Sequence, residues 1–316
     1  MKEFRLAVTY PAYVIVGMLI YFSVSPTLTE EMAFKSLLLS ITFGLWGIIL
    51  IQEKLEPYRL DWQKSRGDIF SDALQSAVVF PLISECIYKS FNFILKRPLK
   101  TFWPHTYPAP VQLVMILVIA ELAHYWYHRI SHRKKWLWRF HTVHHGALRV
   151  YSLNSARFHV VDIFFNMLAY LAPLSLFGVS DEVFYAFLTV NGITGLLEHA
   201  NIKFRAGFLN YVFNTAELHR WHHSEVSKES QSNFGKVLSI WDVIFSTHLY
   251  TNVKAVARVG IGKRKEVPPT FIAQTMYPFE VSKEQKEKKK MSEPELAELA
   301  FRAREFESVA EVRGEV

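Results

Sequence analysis

The chain carries one cysteine, Cys86, in 316 residues. A single thiol excludes an intramolecular disulfide framework and any zinc or iron–sulfur site built on thiolates. Cys86 stands in an apolar run and is expected to be a packing residue. No Gly-rich turn follows a strand pattern, so a dinucleotide-binding fingerprint is missing, and no HExxH signature marks a zinc peptidase. Period-two strand patterns are essentially absent between residues 110 and 250. There is no internal repeat, no low-complexity tract and no fused cytochrome b5 segment. The net charge of +7 comes without a basic–aromatic recognition motif, which leaves no nucleic acid among the expected partners. Lys and Arg at a cytoplasmic membrane face account for that charge.

Apolar residues make up 50% of the chain, concentrated in residues 7–200. A bilayer crossing needs about 20 mostly apolar residues. Segments 6–24, 33–52 and 110–130 meet this, with 159–178 and 182–198 as more interrupted candidates. The first segment reads as a retained helix, since no small-x-small cleavage site closes it. Segment 73–95 is ambiguous because Glu85 and Lys89 lie inside it. Loop 53–70 carries Lys54, Arg59, Lys64 and Arg66, which places it and the N-terminus in the cytoplasm. If 73–95 crosses, 110–130 returns to the cytoplasmic side. The pair 159–178 and 182–198 then forms a hairpin around Gly178–Asp181, at the cost of Lys96, Arg97 and Lys100 on the outer side. The expected fold is all-α: an integral membrane bundle of four to six helices with a cytosolic helical cap. The expected divisions are 1–108 for N-terminal membrane helices, 109–250 for a catalytic region and 251–316 for a polar, charged tail. Within that tail, 251–275 is a loop or short strands, 283–290 a charge run and 293–312 a weakly periodic helix.

Against these absences stand thirteen histidines, ten of them grouped near the ends of apolar segments. They are His124 and His128; His141, His144 and His145; His219, His222 and His223; and between these clusters His159 and His199. On a helix, i+3 and i+4 spacing brings side chains to one face. Each HxxHH triplet therefore directs three imidazoles into one pocket. A catalytic zinc needs three protein ligands and a water, so eight clustered nitrogens imply two metal ions, or one ion and many idle histidines. Burying so many polar rings beside lipid without a ligand would be costly. An all-nitrogen set suits iron, zinc or copper. His105 and His248 read as ordinary interfacial side chains, and His132, which continues the ladder from His128, as a surface or supporting residue. Glu121, Glu198 and Glu217 are candidates to orient ring N–H groups. Trp126, Tyr127, Phe140, Tyr151, Phe158 and Trp221 are candidate cavity walls.

The order HxxxH, HxxHH, HxxHH resembles the fatty acid hydroxylase, or sterol desaturase, superfamily of membrane di-iron enzymes. The likeness runs from about Glu121 to Tyr250 and is carried by Trp138-Arg-Phe-His141-Thr-Val-His144-His145, Leu197-Glu-His199-Ala-Asn201 and Glu217-Leu-His219-Arg-Trp-His222-His223. Asn233-Phe234-Gly235 and the stretch from Trp241 to Thr247 resemble its closing signatures. Where many members read Arg-x-His-Pro, this chain has Arg157-Phe-His159-Val160. Alkylglycerol monooxygenases and ornithine-lipid hydroxylases are similar branches. The resemblance implies two Fe2+ ions held by the ten histidines, O2 as co-substrate, and hydroxylation or desaturation at a lipid C–H bond. It implies an external electron donor, of cytochrome b5 or ferredoxin type or a reduced pterin. The implied setting is a multi-pass protein of a bacterial inner membrane or the endoplasmic reticulum, with its site at the cytoplasmic face. The alternative reading is a membrane zinc-dependent lipid hydrolase of ceramidase-like type.

Overall fold

A computed structural model describes residues 2–95, 103–251, 255–262 and 266–288. Among these residues there are helices and turns but no strand; three isolated antiparallel bridges, Pro57–Ile202, Phe213–Leu238 and Ser224–Val259, pin loops together. The chain opens with α1 (Lys2–Val24) and α2 (Glu31–Leu55). Next, α3 (Ile69–Leu74) runs through a π-helical turn, Gln75–Val79, into α4 (Phe80–Leu95). Pro81 stands beside that turn and has no N–H for the regular ladder. Then come α5 (Ala109–Arg133), α6 (Lys135–His145), α7 (Val160–Phe177) and α8 (Asp181–His199). Three short helices follow, α9 (Ala216–His222), α10 (Ser227–Ser230) and α11 (Ile240–Ile244). The last is α12 (Phe271–Lys288). The described residues divide into two compact units, one ending at Thr275 and one beginning at Met276.

Among the described residues, five stretches are long and apolar enough to cross a membrane: Thr9–Thr27, Glu31–Leu55, Ile69–Phe91, Ala109–Arg133 and Val160–Phe177. The ambiguous segment 73–95 thus falls largely within a helical stretch of spanning length, Ile69–Phe91. Glu85 within it pairs with Lys35 at 2.7 Å and with Lys89 at 3.3 Å, which offsets part of the cost of charge in an apolar helix. Cys86, expected to pack, is exposed on α4. The turn at 178–181 forms as expected: Gly178 adopts φ 61° and closes α7, and Ser180 caps α8 by accepting a hydrogen bond from the Val183 N–H. The expected membrane hairpin does not: α8 is not among the five spanning stretches, and α7 packs chiefly on α4 and α5 while α8 packs on α1, α2, α5 and α9.

Helix α8 is the core of the first unit. Fourteen of its nineteen residues are buried, against α1, α2, α5 and α9. A helix buried all round has no single apolar stripe, which is why its sequence looks interrupted. The region 255–262 contributes the Ser224–Val259 bridge and otherwise loop. The basic stretch at Lys96, Arg97 and Lys100 and the expected helix at 293–312 lie outside the described residues.

Candidate metal centre

The last two turns of α5, all of α6, the end of α8 and α9 bring nine buried histidines into two groups. The first holds His128, His132, His141, His145 and His222; the second holds His144, His199, His219 and His223. Eight of the ten expected ligands are therefore assembled. His124 and His159 stand outside both groups, and His132 takes a place within the first. The reason is helix geometry. His124, His128 and His132 share one face, but the outer two are about 12 Å apart along the axis. One ion can use only two neighbours, and the depth of α5 selects His128 and His132. His132, read from sequence as a surface or supporting residue, is buried with its Nε2 3.1 Å from His145 Nε2. His124 stacks on Tyr170, centroids 4.5 Å apart, and its Nε2 lies 3.4 Å from the Asn166 amide. His159 caps α7: its Nδ1 accepts from the Val161 N–H, and its Nε2 reaches the Thr275 carbonyl at 3.2 Å. His248 contacts the Asn210 carbonyl.

Within each group the ring Nε2 atoms face one another. His128 Nε2 lies 3.1 Å from His141 Nε2 and 2.9 Å from His222 Nε2. His145 Nε2 is 3.1 Å from His141 Nε2. In the second group the His199–His219, His219–His223 and His223–His144 separations are 2.9, 3.0 and 3.1 Å. Two nitrogens each about 2.0–2.1 Å from one ion stand about 2.9 Å apart at a right angle and about 3.3 Å at the tetrahedral angle. The spacing fits a shared ion of more than tetrahedral coordination.

Hydrogen positions sharpen the point. Carbonyl and carboxylate oxygens only accept, so a ring nitrogen bonded to one must carry the hydrogen. His128 Nδ1 donates to the Phe234 carbonyl at 2.8 Å, His222 Nδ1 to the Ser232 carbonyl at 2.7 Å, and His141 Nδ1 to Asp162 at 2.9 Å. A neutral imidazole has one N–H, so the Nε2 atoms of neutral His128 and His222 carry bare lone pairs. Between His128 and His222 there is no hydrogen to share at 2.9 Å; only a cation makes that contact favourable. Burial first, then neighbouring imidazoles, holds His144, His145, His219, His222 and His223 well below the ordinary histidine pKa. Neutral rings are the metal-ligating form.

The second group differs. His199 Nδ1 bonds Asn154 Oδ1 at 2.9 Å, which makes its Nε2 bare. The Nδ1 atoms of His144, His219 and His223 are buried with no hydrogen-bond partner. His144 is held by stacking on Phe158, centroids 4.3 Å apart and planes 8° apart. A hydrogen on His219 Nε2 could serve both His199 and His223, so this group has an internally consistent arrangement of its own.

Two of the orienting oxygens, the Ser232 and Phe234 carbonyls, come from one loop. Asn233 adopts φ 55°, and its side chain is fixed by the Leu218 and Leu249 carbonyls and the Leu249 N–H. Asp242 accepts from the Phe234 and Gly235 N–H groups at 2.8 and 2.7 Å. A Cβ at Gly235 would lie 2.2 Å from the Leu238 carbonyl oxygen, so the loop requires glycine there. The Asn233-Phe234-Gly235 and Trp241-Asp242 signatures thus hold the carbonyls that orient His128 and His222.

The acidic residues divide differently from expectation. Glu121 accepts from the Tyr170 hydroxyl and from the N–H groups of Lys236, Val237 and Leu238. Glu217 holds Ala206 N–H and the Asn210 amide. Glu198 approaches His219 Nδ1 at 3.9 Å and accepts from Asn214. The carboxylate that does orient a ring is Asp162, which also accepts from the Tyr127 hydroxyl. Its only sequence signal is an acid in the first turn of α7, three residues after His159. Loop 146–159 is anchored beneath the site by Arg149–Asp68 and Arg157–Asp72 ion pairs, each at 2.6 Å, and by Glu53, which accepts from Ser152.

A cavity of about 320 Å³ leads from the histidines along α8. His199 and Phe184, both in its wall, are separated by about 22 Å of helix. Of the six aromatics expected there, Phe158 lines it. Trp126 packs on Phe245, Phe140 on His159, Tyr127 bonds Asp162, Tyr151 bonds Asp72, and Trp221 joins a small core with Trp62. The aromatic walls are instead Phe43, Trp46, Phe80, Tyr88, Tyr170 and Phe187, from helices remote in sequence.

Comparison with known proteins agrees with this geometry. The fatty acid hydroxylase family profile matches residues 113–247. An ornithine lipid hydroxylase of Rhizobium tropici is 36% identical over 242 residues, covering 74% of this chain and 72% of that protein. A human alkylglycerol monooxygenase is 32% identical over 137 residues, 43% of this chain and 30% of that protein. An Arabidopsis thaliana methylsterol monooxygenase is 27% identical over 139 residues, 43% and 46% respectively. No solved structure gives a significant match. These relatives lend no support to the hydrolase alternative.

Proposed function

The chain belongs to the fatty acid hydroxylase family, and on that premise we propose that it is a membrane-bound non-haem di-iron oxygenase acting on a lipid C–H bond, by hydroxylation or by desaturation. The observation that carries the metal is the His128–His222 contact, two nitrogens without a hydrogen between them at 2.9 Å. Ferrous ions held by the two histidine groups would supply the O2-dependent chemistry that an unactivated C–H bond requires. The protein's own part is positional. Asp162 and the carbonyls of Ser232 and Phe234 fix three rings of the first group, and such partners strengthen a ligand's hold on its metal. The apolar cavity lays a lipid chain along α8 and excludes water from its inner end. Electrons come from a separate donor, of cytochrome b5 or ferredoxin type or a reduced pterin. The basic residues of loop 53–70 support a cytoplasmic position for the histidine end. The extent of the Rhizobium tropici match makes an ornithine lipid the first substrate to assay, ahead of alkylglycerols and sterols.

The test is iron content and Mössbauer spectroscopy on protein from iron-57-enriched cells, beside a His144→Ala/His222→Ala double variant. Two coupled irons per chain, lost in the variant, are expected. A single zinc that persists through iron loading would overturn the reading. Lipid profiling of cells with and without the active protein then identifies the product.

A further inference from the structure

Of the two lysines that line the cavity, Lys236 stands beside the histidines. Lys236 follows Gly235 in the orienting loop, and its side chain lines the cavity with His199 and His219. Its ammonium lies over the Tyr170 ring, 5.6 Å from the centroid, and among the described residues it has no hydrogen-bond or ion-pair partner of its own. The other lysine in the wall, Lys35, is already paired with Glu85 near the opposite end of the cavity. Helix α8 leaves room beside Lys236: a Cβ on Gly195 would stand 3.8 Å from its Nζ.

The nearby carboxylates do not account for this ammonium. Glu121 is satisfied by one hydroxyl and three backbone N–H groups; Glu198, which also lines the cavity, accepts from the Asn214 amide and makes no ion pair with Lys236. Both act on Lys236 only through space, opposing the burial that lowers its pKa. An unpaired buried ammonium is costly, and a ligand anion would remove that cost. Resting on the reading above, we propose that Lys236 binds an anionic group of the lipid substrate, a carboxylate or a phosphate. The acidic head then lies beside the histidine groups, the tail runs along α8, and oxidation falls close to the head rather than far down the chain. Lys236 is a specificity-determining residue of the cavity.

The test uses purified holoenzyme in detergent micelles and three brominated eighteen-carbon probes: the carboxylate, the alkyl phosphate and the alcohol. Quenching of Trp46, which lines the cavity, reports occupancy, with Trp46→Phe as the background. Comparing proteins at equal micellar mole fraction cancels partitioning of the probe. A charge-assisted hydrogen bond implies half-saturation by an anionic probe at a mole fraction about ten- to hundredfold below that of the alcohol. Lys236→Gln is expected to abolish that preference without moving the alcohol, and Lys236→Arg to retain most of it. The tighter of the two anionic probes identifies the head chemistry. Equal binding of all three probes to the wild type overturns the proposal, and so does a Lys236→Gln shift common to all three, which would mark a packing effect. The wild-type preference needs no variant, so a misfolded substitution leaves the test intact. Iron is measured separately on the same samples: its absence from the wild type would sink the oxygenase reading without touching the lysine result.

Discussion

The two histidine groups sit side by side and are built differently. In the five-histidine group, three rings are fixed by hydrogen bonds from Nδ1 to Phe234, Ser232 and Asp162. In neutral His128 and His222 these bonds leave lone pairs facing each other, an arrangement that a cation between them would stabilise. In the four-histidine group, His199 alone has such a partner, Asn154. The remaining rings are held by packing, as His144 is on Phe158, and one shared hydrogen satisfies part of the group. Hydrogen-bonded orientation commits a ligand to its metal; packing leaves it an alternative. The first group is therefore expected to bind its ion the more tightly.

The sharpest way to break this comparison is to remove one ligand from each group. His222→Ala and His219→Ala should each abolish turnover. His219→Ala should keep one iron per chain, in the first group, by elemental analysis and Mössbauer spectroscopy. If it loses both irons, the groups are a single cooperative site and the contrast fails.

A smaller effect is expected from the orienting residues. Asp162→Ala should weaken the first group's hold on iron by about 10–100-fold, and Asn154→Ala that of the second group by a similar factor. Both are read as the chelator concentration that strips half of each ion. Cross-effects as large as the direct ones would show that the loops, not the individual bonds, set affinity.

The smallest effect separates the two expected ligands that the structure leaves aside. His124→Ala and His159→Ala should leave the iron content at the wild-type value, whereas His132→Ala should lower it. Loss of the α7 cap in His159→Ala should cost about 0.5–2 kcal/mol of stability, visible as a lower melting temperature. Iron lost with His124 and retained without His132 would reverse the assignment on α5.

Much of this architecture is legible in residue order. Apolar length marks the spans, Gly178 and Ser180 mark the turn between α7 and α8, and the HxxHH spacing marks which rings lie near one another on a helix. These features are local: they depend on rise and rotation per residue, or on one residue's backbone freedom. The sequence by itself determined a helical membrane protein with clustered imidazoles, but not how they group: each HxxHH triplet, expected to serve one pocket, divides between the two, with His141, His145 and His222 in the first and His144, His219 and His223 in the second. Tertiary structure decided the rest. The choice of His132 over His124 depends on how deep α5 sits against α6 and α9. Asp162 and the Ser232 and Phe234 carbonyls meet their rings across separations of 10 to 106 residues. The cavity walls come from α2, α4, α7 and α8, and Lys236 becomes an unpaired cation only because those helices close around it. Such contacts follow from the packing of distant segments against each other, where a ring nitrogen or an ammonium meets its partner or is left without one.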